Sequence, residues 1–417
     1  MSRAAEDVAP PVPADRPGGA HWLRAETGRL LEFAARSRHP VAGFGWQDDA
    51  GAIDPDRPVE LWITCRMTHV FALAVLDGYR EHAPLLDHGM AGVQAMRDAR
   101  SGGWHSAVGP AGPVPGTKEA YAHAFVVLAG ASATLAGHPA GPALLGDALE
   151  VTTGRFLGPD GLVVDTWDEG FTTLDAYRGV NANMHAVEAF LAAADATGDR
   201  AWLDRALVIV ERIVHGFAAG NSWRLPEHYD EQWQPLLEYN RESPADPFRP
   251  YGATIGHGLE WSRLALHLHH ALAADAPAWL VDDARRLFDA AVTDGWDADG
   301  ATGLVYTVDW TGTPVVHERM HWVAAEATAT AATLFAVTGE DRYARWYADW
   351  WAWIEEHLVD REQGSWRHEL DRHNRPSSTV WAGKPDAYHA VQAVVLPRRP
   401  LAVSVAGALT RTPLDGT

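Results

Sequence analysis

Side chains that move protons and bind hydroxyls recur in this chain at one phase, each time at the head of an apolar stretch. GHGLEW (256–261) sets His257 and Glu260 three residues apart, on one face of a helix, where a carboxylate can hold an imidazole in a chosen tautomer. ERMHW (318–322) leads into Trp322 and Glu326, four apart and again on one face. KPDAYH (384–389) gathers Asp386, Tyr388 and His389. CRMTH (65–69) puts Arg66 and His69 on one face, with Arg66 free to bind a hydroxyl or to pair with Glu326. EAYAH (119–123) and NANMH (181–185) complete the set, and in the latter Asn181 serves equally well as a helix cap. One such histidine is as readily a core residue as a reactive one. Several at the same phase favour a site.

Other chemistries are poorly represented. There is no P-loop, no G-x-G-x-x-G after a strand and no G-x-S-x-G elbow. HELDRH (368–373) has its histidines five apart and misses the spacing of a helical zinc pair, and His267, His269 and His270 read as core or solvated histidines. The chain has 417 residues, with 34 Lys and Arg against 55 Asp and Glu, a net charge of −21 and no basic block. That excludes the electrostatic footprint of a nucleic-acid or anionic-membrane binder. The single cysteine, Cys65, excludes an intramolecular disulfide framework and a cysteine-based zinc cluster. Its 19 Trp, 10 Tyr, 11 Phe and 21 His suit a sugar pocket or a tryptophan-rich helical core equally well.

The elements that must position the clusters are helices. Six stretches are apolar nearly all round: 62–76, 121–135, 183–196, 257–271, 322–337 and 387–396. A helix without a polar face is buried on every side. For Ala120–Gly137 that reading is preferred to a membrane span. The markers His69, His123, His185, His257, Trp322 and His389 are separated by 54, 62, 72, 65 and 67 residues, a repeat of about 65 used six times. Between them lie amphipathic stretches at 21–38, 85–100, 143–156, 201–217, 278–292 and 341–359, with apolar residues at helical spacing. Each is followed by a short Gly/Trp/Asp segment such as GGWHSAVG, SWRLPEHYDEQW or GLVYTVDWTG, read as a strand or hairpin turn. Six inner and six outer helices with short β-hairpins at one end make an all-α (α/α)6 barrel. An open solenoid is the competing arrangement. Closure is favoured because the polar clusters would then converge. The expected organisation is a flexible leader at 1–20, one catalytic barrel domain at 21–397 and a C-terminal tail at 398–417. With no apolar signal core in the leader, the expected compartment is the cytoplasm.

WITCRMTH (62–69), KEAYAHAF (118–125), RGVNANMHAVEAFLAAADATGD (178–199), GHGLEWSRL (256–264) and GKPDAYHAVQA (383–393) resemble the N-acylglucosamine 2-epimerase family, in particular its aldose–ketose isomerase branch. The resemblance spans about residues 22–397. It implies an (α/α)6 barrel acting on a free reducing sugar, D-mannose to D-fructose first among them, without metal or redox cofactor. It places the catalytic pair on His257 and His389, and the remaining pocket residues on Arg66, Tyr121, Asn181, Met184, His185, Glu260, Trp322 and Glu326. The implied partner is a small monosaccharide, with no nucleic acid and no membrane; the chain itself is a monomer or a homodimer.

The chemistry agrees with that implication. Interconverting an aldose and a 2-ketose needs a base for the C2 proton and an acid at the enediolate oxygen, and imidazole, with a pKa of ~6.5, does both near neutral pH. Arg66 would neutralise charge developing at O1 and O2. Four alternatives remain at this level. A C6-sulfonated sugar could be held by Arg249, His368 or Lys384. A 2-epimerase could act on N-acylglucosamine or a disaccharide. An inverting glycoside hydrolase would use Glu260 and Glu326 as its two carboxyls ~6.5–9.5 Å apart. The last alternative is a sugar-binding barrel without turnover.

Overall fold

The computed structural model describes residues 9–411. Its principal helices are α1 (Ala20–Ala34), α2 (Leu61–Leu76), α3 (Ala83–Ala95), α4 (Ala120–Leu135), α5 (Gly141–Val151), α6 (Val180–Thr197), α7 (Ala201–Val210), α8 (Ile255–Leu272), α9 (Trp279–Gly295), α10 (His321–Thr338), α11 (Asp341–Trp353), α12 (Tyr388–Val395) and α13 (Val405–Arg411). The even-numbered helices α2 to α12 form an inner ring in which each packs on the next and α12 returns to α2. Outside it, α3, α5, α7, α9 and α11 lie on α2, α4, α6, α8 and α10, and α1 lies on α12. The ring is closed, as expected for an (α/α)6 barrel, and is not an open solenoid.

Burial follows the sequence pattern. In α2 every residue from Leu61 to Ala74 is buried, and in α4 the apolar run expected to be interior is interior. No helix among the described residues is long and apolar enough to cross a membrane. The outer helices bury one stripe only, as in α9 with Leu280, Ala284, Leu287, Phe288 and Ala291; each large apolar side chain so buried contributes roughly 1.5–3 kcal/mol. Helices α5, α7 and α11 end in widened π-type turns (Thr152–Phe156, Glu211–Ala218, Ile354–Leu358). These turns account for the longer stretches of helical spacing in the sequence.

One backbone device repeats at the end of the ring where the polar clusters lie. The two residues before an inner helix pair antiparallel with the hairpin that follows the next outer helix: 59–60 with 107–108, 118–119 with 166–167, 178–179 with 228–229, 253–254 with 307–308, and 319–320 with 369–370. The first N–H of the helix then donates to a carbonyl of that hairpin: Leu61 to Ser106 (2.9 Å), Ala120 to Asp165 (2.8 Å), Val180 to Glu227 (3.2 Å), Ile255 to Tyr306 (3.1 Å) and His321 to His368 (3.0 Å). Orphan donors at a helix start are commonly satisfied by side-chain caps; α2, α4, α6, α8 and α10 use none, whereas at α12 the side chain of Asp386 accepts from Tyr388 N (2.9 Å). The expected cap at Asn181 is therefore not formed: α6 begins one residue earlier, at Val180, with Gly179 in the cap position.

At the opposite end, α13 lies across the ring against α2, α4 and α6. The chain leading to it is tied down by Arg398 and Arg399, both paired with the buried Asp77, and by Ser404, whose hydroxyl donates to Asp195 (2.7 Å). Of the expected leader, residues 9–20 lie along the barrel, where Tyr347 Oη donates to Gly18 O (2.8 Å). Residues 1–8 of that leader and 412–417 of the expected tail lie outside the described residues.

Candidate active site

Five inner helices start from the same hairpin device and α12 from the Asp386 turn, and side chains of the first two turns of α2, α4, α6, α8, α10 and α12, with Asp386, meet in one cavity. Together with the solvent space at its mouth it spans about 720 Å³. Trp322, on the first turn of α10, stands between two imidazoles: its ring centroid is 5.3 Å from that of His257 and 5.6 Å from that of His389. Gly256 makes room for it, since a Cβ there would lie 2.2 Å from the indole.

Each imidazole is backed by a carboxylate. The Nδ1–H of His257 faces both oxygens of Glu227 at 3.0 Å, and Glu227 is 4% exposed. The Nδ1–H of His389 donates to Glu326 Oε1 at 2.9 Å. Both contacts fix the Nδ1–H tautomer and leave Nε2 for a ligand in the cavity. For His389 burial depresses the pKa, while the Glu326 carboxylate pulls it back up. Glu326 also accepts from Arg263 Nε (2.8 Å). Burial alone would raise the Glu326 pKa, but Arg263 and His389 hold it down at about 2. Glu260 takes the opposite state. Neither of its buried oxygens has a hydrogen-bond partner, and Arg263 Nη2 is 3.6 Å away. Burial and the charges of Glu326 and Glu188 raise its pKa well above the usual carboxylate value, against the opposing charge of Arg263, which favours the protonated form.

The opposite wall carries the remaining polar groups. Arg66 donates to Asp386 (3.2 Å) and Tyr121 Oη (2.8 Å), and its guanidinium sits 4.4 Å from the centroid of Phe125 and 4.7 Å from that of Tyr388. His185 lies 3.5 Å from Glu188 and 3.9 Å from Glu260; burial lowers its pKa to about 4, keeping it neutral. Toward solvent the walls become aromatic, with Phe248, Trp62 and Trp381 in mutual contact.

Carboxylates and imidazoles this close invite a metal. Ligand atoms of His185, Glu188 and Glu260, and of Glu260, Glu326 and His389, lie within 4.8 Å of one another. Arg263, however, already supplies positive charge to Glu326 and Glu260. The residues fit an acid–base site better than a cation site.

Known proteins match this chain along nearly its whole length. The family model for N-acylglucosamine 2-epimerase (GlcNAc 2-epimerase) matches residues 43–393. The chain belongs to the N-acylglucosamine 2-epimerase family. Among its relatives, the D-mannose isomerase of Thermobifida fusca is 51% identical over 93% of this chain and 96% of its own. The D-mannose isomerase of Pseudomonas cannabina pv. alisalensis is 48% identical over 94% and 96%. A crystal structure of D-mannose isomerase superposes with a TM-score of 0.84 at 30% identity, covering 90% of this chain and 97% of that one.

Within this family member the expected residues divide. His257, His389, Arg66, Tyr121, Asn181, His185, Glu260 and Trp322 line the cavity, and Glu326 lies directly behind it on His389. Met184 does not reach the cavity; its side chain is fully buried in the hydrophobic core. Two expected pairings are replaced. His257 leans on Glu227 rather than on Glu260, and Arg66 pairs with Asp386 rather than Glu326. His69, which shares a face with Arg66 in sequence, is one turn deeper and points into a lower chamber. His123 also turns away: its ring packs on Trp104 and Phe156. Of the cations that could hold a C6 anion, Arg249 lies on Asp165 and the Tyr177 ring, and Lys384 donates to Asp360. Neither lines the cavity.

Sequence reasoning missed Glu227, Tyr306 and His321, and placed His368 only as a surface or anion-binding charge. Glu227, Tyr306 and His368 occupy the same position of successive repeats, the hairpin residue whose carbonyl caps an inner helix. That shared position within the Gly/Trp/Asp segments is the signal that could have found them.

Proposed function

We propose that this protein is an aldose–ketose isomerase that interconverts D-mannose and D-fructose. The observation that carries the reading is the pair of carboxylate-backed imidazoles on either side of Trp322; the names of the relatives agree with it. The Nε2 of one histidine takes the C2 proton of the open-chain sugar and returns it to C1. The other histidine and the Glu260 carboxyl exchange protons with O1 and O2. Arg66, on the wall of the same cavity, stabilises the negative charge of the enediolate. Trp322 gives the carbon skeleton a flat apolar face. Acid–base groups supply each of these steps, and residues 21–397 carry them. The cytoplasm is proposed as the compartment, in keeping with a single, buried cysteine.

A glycoside hydrolase is disfavoured on two counts. Oxygens of Glu260 and Glu326 approach within 4.8 Å, closer than the ~6.5–9.5 Å that an inverting pair needs for its water, and Glu326 is already engaged by Arg263 and His389. The test is incubation with D-mannose in D₂O with a chelator present, followed by NMR. Fructose carrying deuterium or transferred hydrogen at C1 is the expected product. Absence of ketose, or exchange confined to C2 with glucose as product, would replace the reading by no turnover or by epimerisation.

A further inference from the structure

Two histidines of the cavity have no part in the proton transfers above. His321 opens α10, and His368 lies on the hairpin that caps it; their rings stack at 3.6 Å with an interplanar angle of 18°. Both line the cavity beside Asp386 and His389, and both are buried, at 7% exposure each. The tautomer of His321 is fixed. Its Nδ1 lies 3.3 Å from the His368 carbonyl, which only accepts, so Nδ1 carries the proton. Nε2 is then a bare lone pair, and it is buried without a partner. Buried acceptors of this kind are normally satisfied. Burial lowers the pKa of His321 to about 3, and that of His368 falls well below the usual histidine value for the same reason, reinforced by His321 itself. The lone pair therefore persists at neutral pH.

We propose that His321 Nε2, held in place by the His368 stack and carbonyl, accepts a hydrogen bond from one of the sugar hydroxyls beyond C3 and so determines which sugars this site takes. The assignment rests on the isomerase reading for the orientation of the sugar, since His257 and His389 claim C1 and C2. It makes the site selective by proton count. An alcohol donates to the lone pair. A sulfonate or phosphate oxygen carries no proton and meets it lone pair to lone pair, and among the described residues the one guanidinium lining the cavity, Arg66, is already paired with Asp386. The preferred substrates are then neutral aldoses with a free distal hydroxyl, and C6-anionic sugars are rejected.

The test compares D-mannose with its 4-deoxy and 6-deoxy analogues and with the 4-fluoro and 6-fluoro analogues, in which fluorine accepts but cannot donate. In the wild-type enzyme, removal of the bound hydroxyl should lower kcat/KM roughly 10- to 100-fold, chiefly through KM, and the fluoro analogue at that carbon should be no better than the deoxy one. In His321→Phe, which keeps a stacking ring without the acceptor, the gap between mannose and that analogue should shrink below about threefold. Rescue by fluorine, equal use of all five sugars, or turnover of a C6-sulfonated aldose at a rate near that of mannose would overturn the assignment. Should His321→Phe not fold, the wild-type analogue series decides alone. Calorimetric titration reads the same ratios as Kd without turnover. An enzyme that binds with these ratios but makes no ketose would sink the isomerase reading and leave the assignment standing.

Discussion

At one end of the inner ring, His257 and His389 donate through Nδ1 to the carboxylates of Glu227 and Glu326. At the other, beneath α13, His69 lies 2.7 Å from the Ser132 hydroxyl and His267 is 2.7 Å from the Ala402 carbonyl, on the wall of a chamber of about 320 Å³ that also takes in Arg263 and Ser404. His69, His267 and His389 are buried and stand on inner helices. Burial drives His69 and His267 down to about 4 with little to oppose it, whereas the anion of Glu326 works against burial at His389. A histidine with a neutral partner is a structural hydrogen-bonding group. One with a buried anion behind it can take a proton and give it back. The difference lies in the residue behind each ring, contributed by another segment of the chain.

The sharpest break of this division is a direct exchange of substitutions. His257→Ala and His389→Ala should each lower kcat on mannose by about 10³-fold or more, within the range of lost general acid–base catalysis, with circular dichroism unchanged. His69→Gln and His267→Gln should keep kcat within about threefold and lose thermal stability instead. A fall of more than about 100-fold in either Gln variant, with the fold intact, would show that the lower chamber takes part in turnover.

The carboxylates come next. Glu227→Gln and Glu326→Gln should each cost about 10²-fold in kcat, since the tautomer is no longer enforced and the imidazolium loses its counter-ion. Direction in pH separates positioning from packing. Glu326 raises the pKa of His389, so its removal should carry the acid limb of kcat/KM to lower pH. Ser132→Ala, the matching change at the lower end, should leave that limb where it is. A limb that stays put in Glu326→Gln would detach His389 from the acid limb.

How far the sequence reached is explained by the same division. The closed ring was legible because an apolar helix without a polar face has one possible location, and the 65-residue period repeats it six times. The cavity residues on those helices were legible too, because helical spacing decides which side chains share a face: Arg66, His185, Glu260 and Trp322 lie where their phase puts them. Periodicity failed in two ways. It does not say how deep along the axis a residue sits, so His69 was grouped with Arg66 although it lies a turn lower; Met184 came from the family resemblance, and its side chain lies in the core. It also does not pair segments. Glu227 and His368 come from hairpins whose role depends on which inner helix they cap, a relation set by tertiary contact rather than by local spacing.

A smaller effect per residue bears on stability rather than rate. His69, His123, His185 and His267 are held near 4, and His321 near 3, by burial. Between those values and the unfolded pKa of ~6.5, the unfolded chain binds more protons than the native one, so unfolding free energy rises with pH through that window and is lost as pH falls. Each such histidine contributes up to roughly 1.4 kcal/mol per pH unit. Denaturant midpoints taken from pH 7 to pH 4 should therefore fall steeply below about 6.5, and His267→Gln should flatten the slope by up to one proton. A midpoint independent of pH over that range would mean that these rings are charged in the native state.

Two asparagines two residues apart on α6 bring the comparison down to one turn of helix. Asn183 is fully buried: its Nδ2 donates to Val163 O (2.9 Å) and Gly179 O (3.1 Å), and its Oδ1 accepts from Val163 N (2.8 Å). It ties the hairpin of one repeat to the inner helix of the next. Asn181 lines the cavity, and its buried Oδ1 has no protein partner. Asn183→Ala leaves a buried amide and carbonyl of Val163 unpaired, and should cost about 1–3 kcal/mol of stability with KM for mannose unchanged. Asn181→Ala should raise that KM by about tenfold, the value of roughly one hydrogen bond, and leave the unfolding midpoint within experimental error. Equal losses of stability in the two variants would make Asn181 a second structural tie, and the sugar would have to find its partner on that wall in Arg66 and Tyr121 alone.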